Sequence, residues 1–431
     1  MLTIITSFWK KILQSLRLFQ VLRFTSRERM AAELPRKVLH VMNSAFGGSA
    51  FSALGLIHQL REDYGIESCA ICHHGGRQED FERLREAVRG ELVVRPLYWW
   101  NKKTRAPLWR RPFIEAKLQW LTGFRRASVR NTIEAARRFG AELLHSNTIL
   151  TIEGGLAAQQ LALPHVWHVR ELIGPGEPYR FNIEGKAWGE YVSRLASVVV
   201  ANSDRNAQCI RDWLPEDKLA VVYNGIDLGR FEPRASYETT PLVVGMIGSL
   251  TSLWKRHDWF VEAAAKVDSS LPVEFRIYGV LPNKQDSATT HAYVDRMRQF
   301  VEKHGLQKRI QFVGYTEYDP APEIDIMMHT SPKESFGRIL VEAMATAAPL
   351  IGVNDGGVGE LIVHGETGLL AAPGDTDTLA RHVETLAGNP ELRARFGQAG
   401  LRRARAMYSL EACAQGIADV YRIAMKRPLN T

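Results

Sequence analysis

The sequence predicts an α/β fold in which two parallel β-sheets are each covered by helices. The chain has 431 residues, which is long for one hydrophobic core and favours two domains of about 200 residues each. Short apolar runs alternate with helical patterns, as expected for parallel sheets that are buried on both faces. The runs form two sets on either side of the polar stretch 231–240, the best linker candidate. We therefore expect two Rossmann-like domains.

The predicted strands define the expected domain limits. The first set of strands covers 37–42, 67–74, 91–97, 141–147, 165–169, 197–203 and 219–225. The second set covers 241–249, 273–279, 310–315, 324–331 and 349–354. We place the N-terminal domain at 31–232 and the C-terminal domain at 240–408. A final helix over 409–427 is a candidate to pack back across the domain junction.

Composition and charge narrow the function classes only broadly. Apolar residues make up 45% and charged residues 24% of the chain, which is ordinary for a globular protein. The net charge of +8 suits an anionic partner such as a phosphate ligand, a nucleic acid or an acidic membrane surface. The four cysteines suggest no disulfide framework and favour a reducing compartment.

Residues 1–30 predict a basic amphipathic helix. No apolar run there is long enough for a membrane span or a signal-peptide core, and no acidic residue precedes Glu28. Such a helix is typical of a segment that lies in an anionic membrane interface. The alternative is a helix that packs on its own protein or on a second subunit. The predicted apolar face contains Ile4, Ile5, Phe8, Trp9, Ile12, Leu16, Phe19 and Leu22, opposite Lys10, Gln14, Arg17 and Arg23.

The stretch 333–361 places Glu334 and Glu342 eight residues apart. A helix is expected from about Gly337, and the N-terminus of a helix favours a phosphate. Glu342, inside that helix, is suited to hold two ribose hydroxyls, and Glu334, in the preceding loop, is suited to face a sugar. The spacing fits a ligand that carries a nucleoside, a diphosphate and a sugar. The alternative is a plain surface pair between Arg338 and Glu342.

Two further segments follow predicted strands. Gly47 and Gly48 come after the first strand and would let a diphosphate approach the turn, although such a pair is often only a tight turn. Lys255 lies after the first strand of the second set, ahead of a helix, where it could neutralise a phosphate. The alternative for Lys255 is a solvated charge run with Arg256 and His257.

The string ESFGRILVEAMATAAPLIGVNDGGVGELIVHGETGLLAAPGD closely resembles the donor-binding region of glycosyltransferase family 4. The resemblance extends in order through FGGSA, HVWHVRE, VVANSDRN, VVYNGID and KRHDWFVEAA, and covers about 37–425. Members are retaining, nucleotide-sugar-dependent enzymes of the GT-B fold, in which two Rossmann-like domains face each other across a cleft. The likeness is to the bacterial surface-glycan type.

The resemblance implies roles for residues of the C-terminal domain. Glu334 matches the first glutamate of the family's E-x7-E motif, near the donor sugar and the reacting centre, and Glu342 matches the second, which holds the ribose. The backbone amides of Phe336 and Gly337 are expected to contact the sugar or the phosphates. Lys255 matches the lysine that binds the donor diphosphate.

Two implied contacts and one departure complete the expected site. Gly48 matches the glycine loop that faces the diphosphate from the N-terminal domain, and His168 matches a histidine that touches the donor sugar. Ser249 stands where the family usually has arginine as a second phosphate cation. Lys255 would therefore carry more of the phosphate binding, with Arg256 as the candidate for an additional cation.

Several strings are compatible with a metal or redox site but also with an ordinary structural role. The string CAICH over 69–73 has the spacing of a c-type haem attachment site, but it also fits a strand with two buried thiols. Asp375 or Asp377 fits a helix N-cap better than a metal ligand. His145, His165 and His168 lack a carboxylate that would complete a zinc site. We expect no required metal or other cofactor.

The expected function is transfer of a sugar from a nucleotide-sugar donor to a glycan or lipid-linked acceptor, in surface polysaccharide or lipopolysaccharide biosynthesis. The expected location is the cytoplasm, peripheral on the inner face of the plasma membrane. A sugar-nucleotide epimerase of similar architecture and a non-catalytic sugar-nucleotide-binding subunit are the alternatives. A nucleic-acid partner is not expected, because no nucleic-acid-binding signature is present.

Overall fold

The computed structural model describes residues 33–100 and 111–429, and for 111–124 it describes the backbone only. The chain divides into two compact units. The first consists of Met1–Gly225 with Leu410–Thr431, and the second is Ile226–Ser409. The predicted helix over 1–30 lies outside the described residues. Within the described part of the chain, no helix has the length and apolarity that crossing a membrane requires.

The first unit contains a seven-stranded parallel sheet in the order β3-β2-β1-β4-β5-β6-β7. Its strands are β1 Lys37–Met42, β2 Glu67–Cys72, β3 Leu92–Val94, β4 Leu143–Ser146, β5 His165–Val169, β6 Val198–Ala201 and β7 Leu219–Val221. Its helices are α1 Gly48–Tyr64, α2 Gln78–Ala87, α3 Arg111–Phe139, α4 Glu153–Leu161, α5 Gly185–Leu195 and α6 Asp204–Ile210. Short 3₁₀ turns lie at Arg211–Trp213 and Glu216–Lys218.

The central strands of this sheet are buried along their whole length, as helices on both faces require. Every residue of β4, β5 and β6 is buried. The last helix of the chain, α13 Leu410–Met425, belongs to the same hydrophobic core. Its Ile417 and Tyr421 pack in one cluster with Val38 and Leu56. The C-terminal helix of the chain therefore packs in the core of the first unit.

The second unit repeats this design with six parallel strands in the order β10-β9-β8-β11-β12-β13. Its strands are β8 Leu242–Ile247, β9 Val273–Tyr278, β10 Ile310–Gly314, β11 Ile326–His329, β12 Leu350–Val353 and β13 Gly368–Ala371. Its helices are α7 His257–Lys266, α8 Ala288–Lys303, α9 Arg338–Ala345, α10 Val358–Leu361, α11 Thr376–Ala387 and α12 Pro390–Met407. Short 3₁₀ turns lie at Leu228–Arg230, Leu253–Lys255 and Ala321–Glu323.

The predicted α/β fold with two parallel sheets is confirmed, and one strand was missed. β13, with sequence GLLA, has little intrinsic strand preference because glycine and alanine are depleted in strands. It forms by pairing along β12 at the edge of the sheet. The predicted linker packs within the second unit. There Arg234 pairs with Asp325 at 2.8 Å and the Tyr237 hydroxyl donates to a backbone carbonyl.

Both sheets reverse their strand order at one place. In the first sheet the reversal lies between β1 and β4, and in the second it lies between β8 and β11. Open α/β sheets bind ligands beyond the carboxyl ends of the strands at such a point. A ligand site is therefore expected at the loops that follow these four strands.

Candidate functional site

An ion pair joins the two loops at the strand reversal of the second sheet. Lys255 follows β8 and Glu334 follows β11, and these strands are paired neighbours. The Lys255 Nζ lies 2.6 Å from Glu334 Oε2. Their side chains keep 19% and 18% of their exposure, so the pair is reachable by a ligand. The two charged residues that were predicted from separate motifs are thus brought together.

Side chains after β11 hold the lysine loop in place. The Thr330 hydroxyl donates to the carbonyls of Lys255, at 3.1 Å, and Arg256, at 2.8 Å. Arg256 has a left-handed backbone with φ 55° and ends the short 3₁₀ turn that carries the lysine. The ammonium is therefore presented from a fixed backbone, although its own stem is flexible.

Glu334 is strongly biased towards its ionised form. Burial alone would favour the neutral acid, but the Lys255 ammonium and the His329 ring outweigh it and hold the pKa of Glu334 well below its usual range. His329 ends β11 and has no exposed surface. Its Nε2 lies 3.5 Å from the same Oε2. Sequence analysis missed His329, whose only signal was its position at the end of a strand.

The Glu334 backbone is fixed by the glycine-rich turn after β12. Gly357 donates its N–H to the Glu334 carbonyl at 2.6 Å. Gly356 has φ +59°, and a Cβ added there would lie 2.3 Å from that same carbonyl oxygen. Only a residue without a side chain allows this approach. The DGG string at 355–357 therefore supports the loop of Glu334, a role that the sequence alone did not indicate.

Helix α9 begins directly after this loop. Its N-cap is Gly337, with φ 93°, which is the left-handed region that glycine adopts without strain. Phe336 is buried and packs edge-on against Tyr408, with ring centroids 5.8 Å apart. Phe336 therefore anchors the loop in the core. The N-terminus of α9 points its peptide dipole towards the end of the sheet that carries Glu334, as a phosphate site requires.

Glu342 forms the ion pair with Arg338 that the sequence suggested as an alternative, but Glu342 is buried rather than on the surface. Its Oε1 accepts from Arg338 Nε at 2.6 Å, and the residue is only 8% exposed. Burial raises the pKa of Glu342, and Arg338 offsets part of that effect. A buried carboxylate that accepts a hydrogen bond from an arginine retains acceptor capacity for further hydroxyl groups.

Ser249 supplies no charge, and its hydroxyl is already engaged. The Ser249 and Thr251 hydroxyls are 2.8 Å apart. Arg256, the suggested additional cation, pairs with Asp258 at 2.6 Å and stacks on Trp259 at 3.8 Å. Of the cations considered for the diphosphate, Lys255 is the one that faces the Glu334 loop in this structure.

In the first unit, Gly48 opens helix α1 after β1. The preceding Gly47 is the N-cap with φ 99°, and a Cβ added at either glycine would meet no described atom within 4 Å. The Ser52 hydroxyl donates back to the Gly48 carbonyl at 2.9 Å. The turn is therefore open on its outer side, as close approach of a ligand would require. Its predicted contact with a diphosphate stays a prediction.

His168 lies inside β5 and has no exposed surface. Its ring stacks on His145, with centroids 5.6 Å apart. Its Nδ1 is 3.4 Å from Arg170 Nη2, and its Nε2 has no hydrogen-bond partner among the described residues. Burial lowers the pKa of His168 well below its usual value. Its predicted contact with the donor sugar stays a prediction.

Arg170, which sequence analysis did not select, lies directly after the carboxyl end of β5. It is 7% exposed and donates from Nε to the Asn147 carbonyl at 3.1 Å and from Nη1 to Asn224 Oδ1. Burial lowers the pKa of Arg170 to about 10. The adjacent Glu171 accepts from the Thr148 hydroxyl. A charged pair directly after a buried strand, RE in WHVRE, was the available signal.

The metal and redox alternatives find little support in the described residues. No group of three His, Cys, Asp or Glu side chains in 33–100 and 125–429 is placed to hold a metal ion. Asp375 is the N-cap of α11 and accepts from the Thr378 N–H at 2.9 Å, so that prediction is confirmed. Cys69 and Cys72 are buried within β2.

Comparison with known proteins identifies the class. The model of glycosyl transferases group 1 matches residues 231–403, and the model of glycosyltransferase family 4 matches residues 46–230. These matches together run through both units, and they follow the motifs from which the resemblance was inferred. The chain belongs to glycosyltransferase family 4 and is a glycosyltransferase.

The descriptions of individual relatives are consistent with membership of this family. A lipopolysaccharide core biosynthesis mannosyltransferase of Rhizobium leguminosarum bv. viciae is 29% identical over 249 residues, or 54% of this chain and 67% of that protein. A protein of the same description from Rhizobium meliloti is 28% identical over 257 residues, or 56% and 69%. The crystal structure of Anabaena Alr3699/HepE with UDP and glucose has a TM-score of 0.69 and 22% identity, over 89% of this chain and 99% of that one. The last likeness supports the GT-B fold.

Proposed function

We propose that this glycosyltransferase moves a sugar from a nucleotide-sugar donor to a hydroxyl group of a glycan or lipid-linked acceptor, with retention of configuration. The observation that carries the proposal is the Lys255–Glu334 ion pair at the strand reversal of the second sheet. A lone carboxylate there would repel a diphosphate. A carboxylate paired with a mobile ammonium, next to a helix N-terminus, provides a cation for the phosphates and an anion for the sugar.

The proposed reaction breaks the bond between the anomeric carbon and the β-phosphate oxygen, and forms a bond from that carbon to the acceptor oxygen. The acceptor proton leaves to the departing diphosphate. Negative charge grows on the diphosphate, where Lys255 and the start of α9 stabilise it. Positive charge grows on the sugar, where the ionised Glu334 stabilises it. Glu342 binds the ribose hydroxyls in this scheme.

We propose that the acceptor belongs to surface polysaccharide or lipopolysaccharide synthesis, because two curated relatives are described as lipopolysaccharide core mannosyltransferases. The decisive experiment incubates the full chain with a panel of labelled nucleotide sugars and an acceptor extract. We expect one donor to release its nucleoside diphosphate with transfer of label to a glycan or lipid. Donor binding without any transfer would favour the non-catalytic alternative, and no binding of any donor would refute the proposal.

Transfer is proposed to need no metal ion, because Lys255 and the helix N-terminus supply the positive charge at the leaving group. Activity is therefore expected to survive excess EDTA. Complete loss that added Mg²⁺ or Mn²⁺ restores would contradict this part of the proposal.

We propose that residues 1–30 hold the enzyme on the inner face of the plasma membrane. The basis is sequence alone, namely the aromatic apolar face and the absence of acidic residues before Glu28. We expect the full chain to sediment with anionic vesicles, and less with neutral vesicles or at high salt. Removal of residues 1–30 is expected to release the protein without changing donor affinity. A full-length protein that ignores anionic vesicles would refute membrane binding.

A further inference from the structure

His329 shares one carboxylate oxygen with the lysine of the proposed site. Its Nε2 lies 3.5 Å from Glu334 Oε2, and the Lys255 Nζ lies 2.6 Å from the same atom. Apart from this contact, neither ring nitrogen of His329 has a hydrogen-bond partner in the described part of the chain. The side chain has no exposed surface. Because it has so few partners, His329 contributes little to the fold through hydrogen bonding. Buried polar groups of this kind are uncommon in folded proteins.

We infer that His329 is a positioning residue, which holds the Glu334 carboxylate in place while Lys255 leaves it to bind the donor diphosphate. This inference rests on the proposed function. A single ammonium that is 2.6 Å from the carboxylate must weaken that contact when it turns towards phosphate oxygens. Without a second donor, the carboxylate would then lose the 2.6 Å hydrogen bond at Oε2.

The backbone of His329 makes it the more rigid of the two donors. It is the last residue of β11, and it is paired in register with Gly352 of β12 and is buried in the sheet. The imidazole has two rotatable side-chain bonds, whereas Lys255 reaches Glu334 through a flexible four-carbon stem. Reactive groups are held most accurately when packing on a regular element fixes their supporting residues. The strand therefore sets the position of the carboxylate, and the lysine is left mobile.

The charges around His329 are consistent with a neutral ring that donates from Nε2. The titratable groups that face it are Glu334, Lys255 and His257. Burial lowers the pKa of His329, Glu334 opposes this effect and Lys255 adds to it. His257 is itself held neutral, because burial lowers its pKa to about 4. Movement of Lys255 to the diphosphate removes one of the influences that lower the pKa of His329.

The test compares three substitutions at one position in the full chain. His329→Leu removes both nitrogens, whereas the amide nitrogen of His329→Gln reaches the place of Nε2 and that of His329→Asn reaches only the place of Nδ1. We expect His329→Leu and His329→Asn to lower kcat about 10- to 100-fold, as a misplaced reacting group does. Donor KM and the Kd for nucleoside diphosphate are expected to stay within about threefold, and His329→Gln to recover most of kcat.

The pH profile provides a readout that a purely structural role would not move. Glu334 must be ionised in the proposed reaction, and His329 helps to lower its pKa. Loss of that donor raises the pKa of Glu334, so the acid limb of kcat/KM is expected at higher pH in His329→Leu than in wild type. In His329→Gln the limb is expected near its wild-type position. The matched control is His382→Gln, since the Nε2 of His382 forms a hydrogen bond with the Leu370 carbonyl at 3.1 Å.

Three results would distinguish an error in the inference about His329 from an error in the proposed function. Wild-type kcat in His329→Leu would overturn the inference. Equal losses in the Leu, Asn and Gln variants, with a parallel fall in Tm and an unmoved acid limb, would show a packing role and would also overturn it. Normal turnover in Glu334→Gln would instead refute the proposed function on which the inference rests.

Discussion

The two units have the same strand order around their reversal points, but the polar side chains near these points differ in exposure and in charge. In the second unit, Lys255 and Glu334 extend from loops, form an ion pair and remain partly exposed. In the first unit, the histidine side chains of β4 and β5 are buried. His145 and His168 are neutral there because burial lowers their pKa values.

This difference shows that topology fixes where a site can form but not what it does. Charge in the second unit is held by side chains that a ligand can reach. In the first unit, the charged residues directly after β5 are Arg170 and Glu171, whose hydrogen bonds go to neighbouring loops. We therefore assign donor chemistry to the second cluster and a mainly structural role to Arg170.

The largest effect is expected from Glu334→Gln, which keeps the shape of the side chain and removes its charge. We expect turnover to fall about 10³-fold, because an electrostatic stabiliser of the reacting sugar is lost. Binding of nucleoside diphosphate should persist, as measured by titration calorimetry. The control is Glu366→Gln, since Glu366 is exposed in the same unit. Near-normal turnover in Glu334→Gln would remove the catalytic assignment.

Arg170→Met is expected to lower the free energy of unfolding by about 3 kcal/mol, because it leaves buried polar partners without a donor. The Kd for nucleoside diphosphate is expected to stay unchanged. Denaturant unfolding and calorimetry measure the two quantities, with Arg83→Met on an exposed helix face as control. A stable variant with weakened donor binding would reverse the division between the two clusters.

Acid is expected to destabilise the fold partly through His40 in the first unit. Burial lowers the pKa of His40 to about 3, whereas an unfolded histidine titrates near 6.5. Below that value the unfolded chain binds a proton that the folded chain does not, so stability falls as pH falls. At pH 5 this amounts to about 2 kcal/mol.

The test is denaturant unfolding of His40→Gln at pH 7 and pH 5. We expect its loss of stability over that interval to be smaller than in wild type by about 2 kcal/mol. His58→Gln, on the exposed side of α1, is expected to behave as wild type. Equal losses in all three proteins would show that His40 does not couple folding to pH.

A smaller effect than these is expected from Glu342→Ala, which should weaken donor binding by about 1.5 kcal/mol through loss of a charged hydrogen-bonding group. Calorimetry with the donor measures this difference against Glu366→Ala. An unchanged Kd would mean that Glu342 serves only its ion pair with Arg338.

The sequence predicted the fold and most of the charged site, but not the supports of the site. Strand and helix patterns were sufficient for twelve strands, because each carries a local apolar run. β13 was missed because GLLA is too short and too weakly β-prone to be recognised without its neighbour β12. Lys255 and Glu334 were found through motifs. Their contact depends on the pairing of β8 with β11, which no local pattern encodes.

The supporting residues were hidden for a similar reason. Gly356 matters because the Glu334 carbonyl passes within 2.3 Å of where its Cβ would be. His329 resembles any other residue at a strand end until the position of the carboxylate is known. Arg170 lies in the motif WHVRE, in which the family resemblance assigns a role to His168, two residues earlier. Long-range contacts, rather than residue types, distinguish these positions.

The most direct test of the central claim is the affinity of Lys255→Met for a nucleoside diphosphate and for the bare nucleoside. Methionine keeps the length of the stem and removes the charge, and the same comparison in Lys255→Met with Glu334→Gln excludes repulsion by an unpaired carboxylate. We predict at least a tenfold rise in the diphosphate Kd, about 1.4 kcal/mol, with nucleoside affinity unchanged. Equal losses for both ligands, or no loss for either, would contradict a donor-diphosphate site at the Lys255–Glu334 pair.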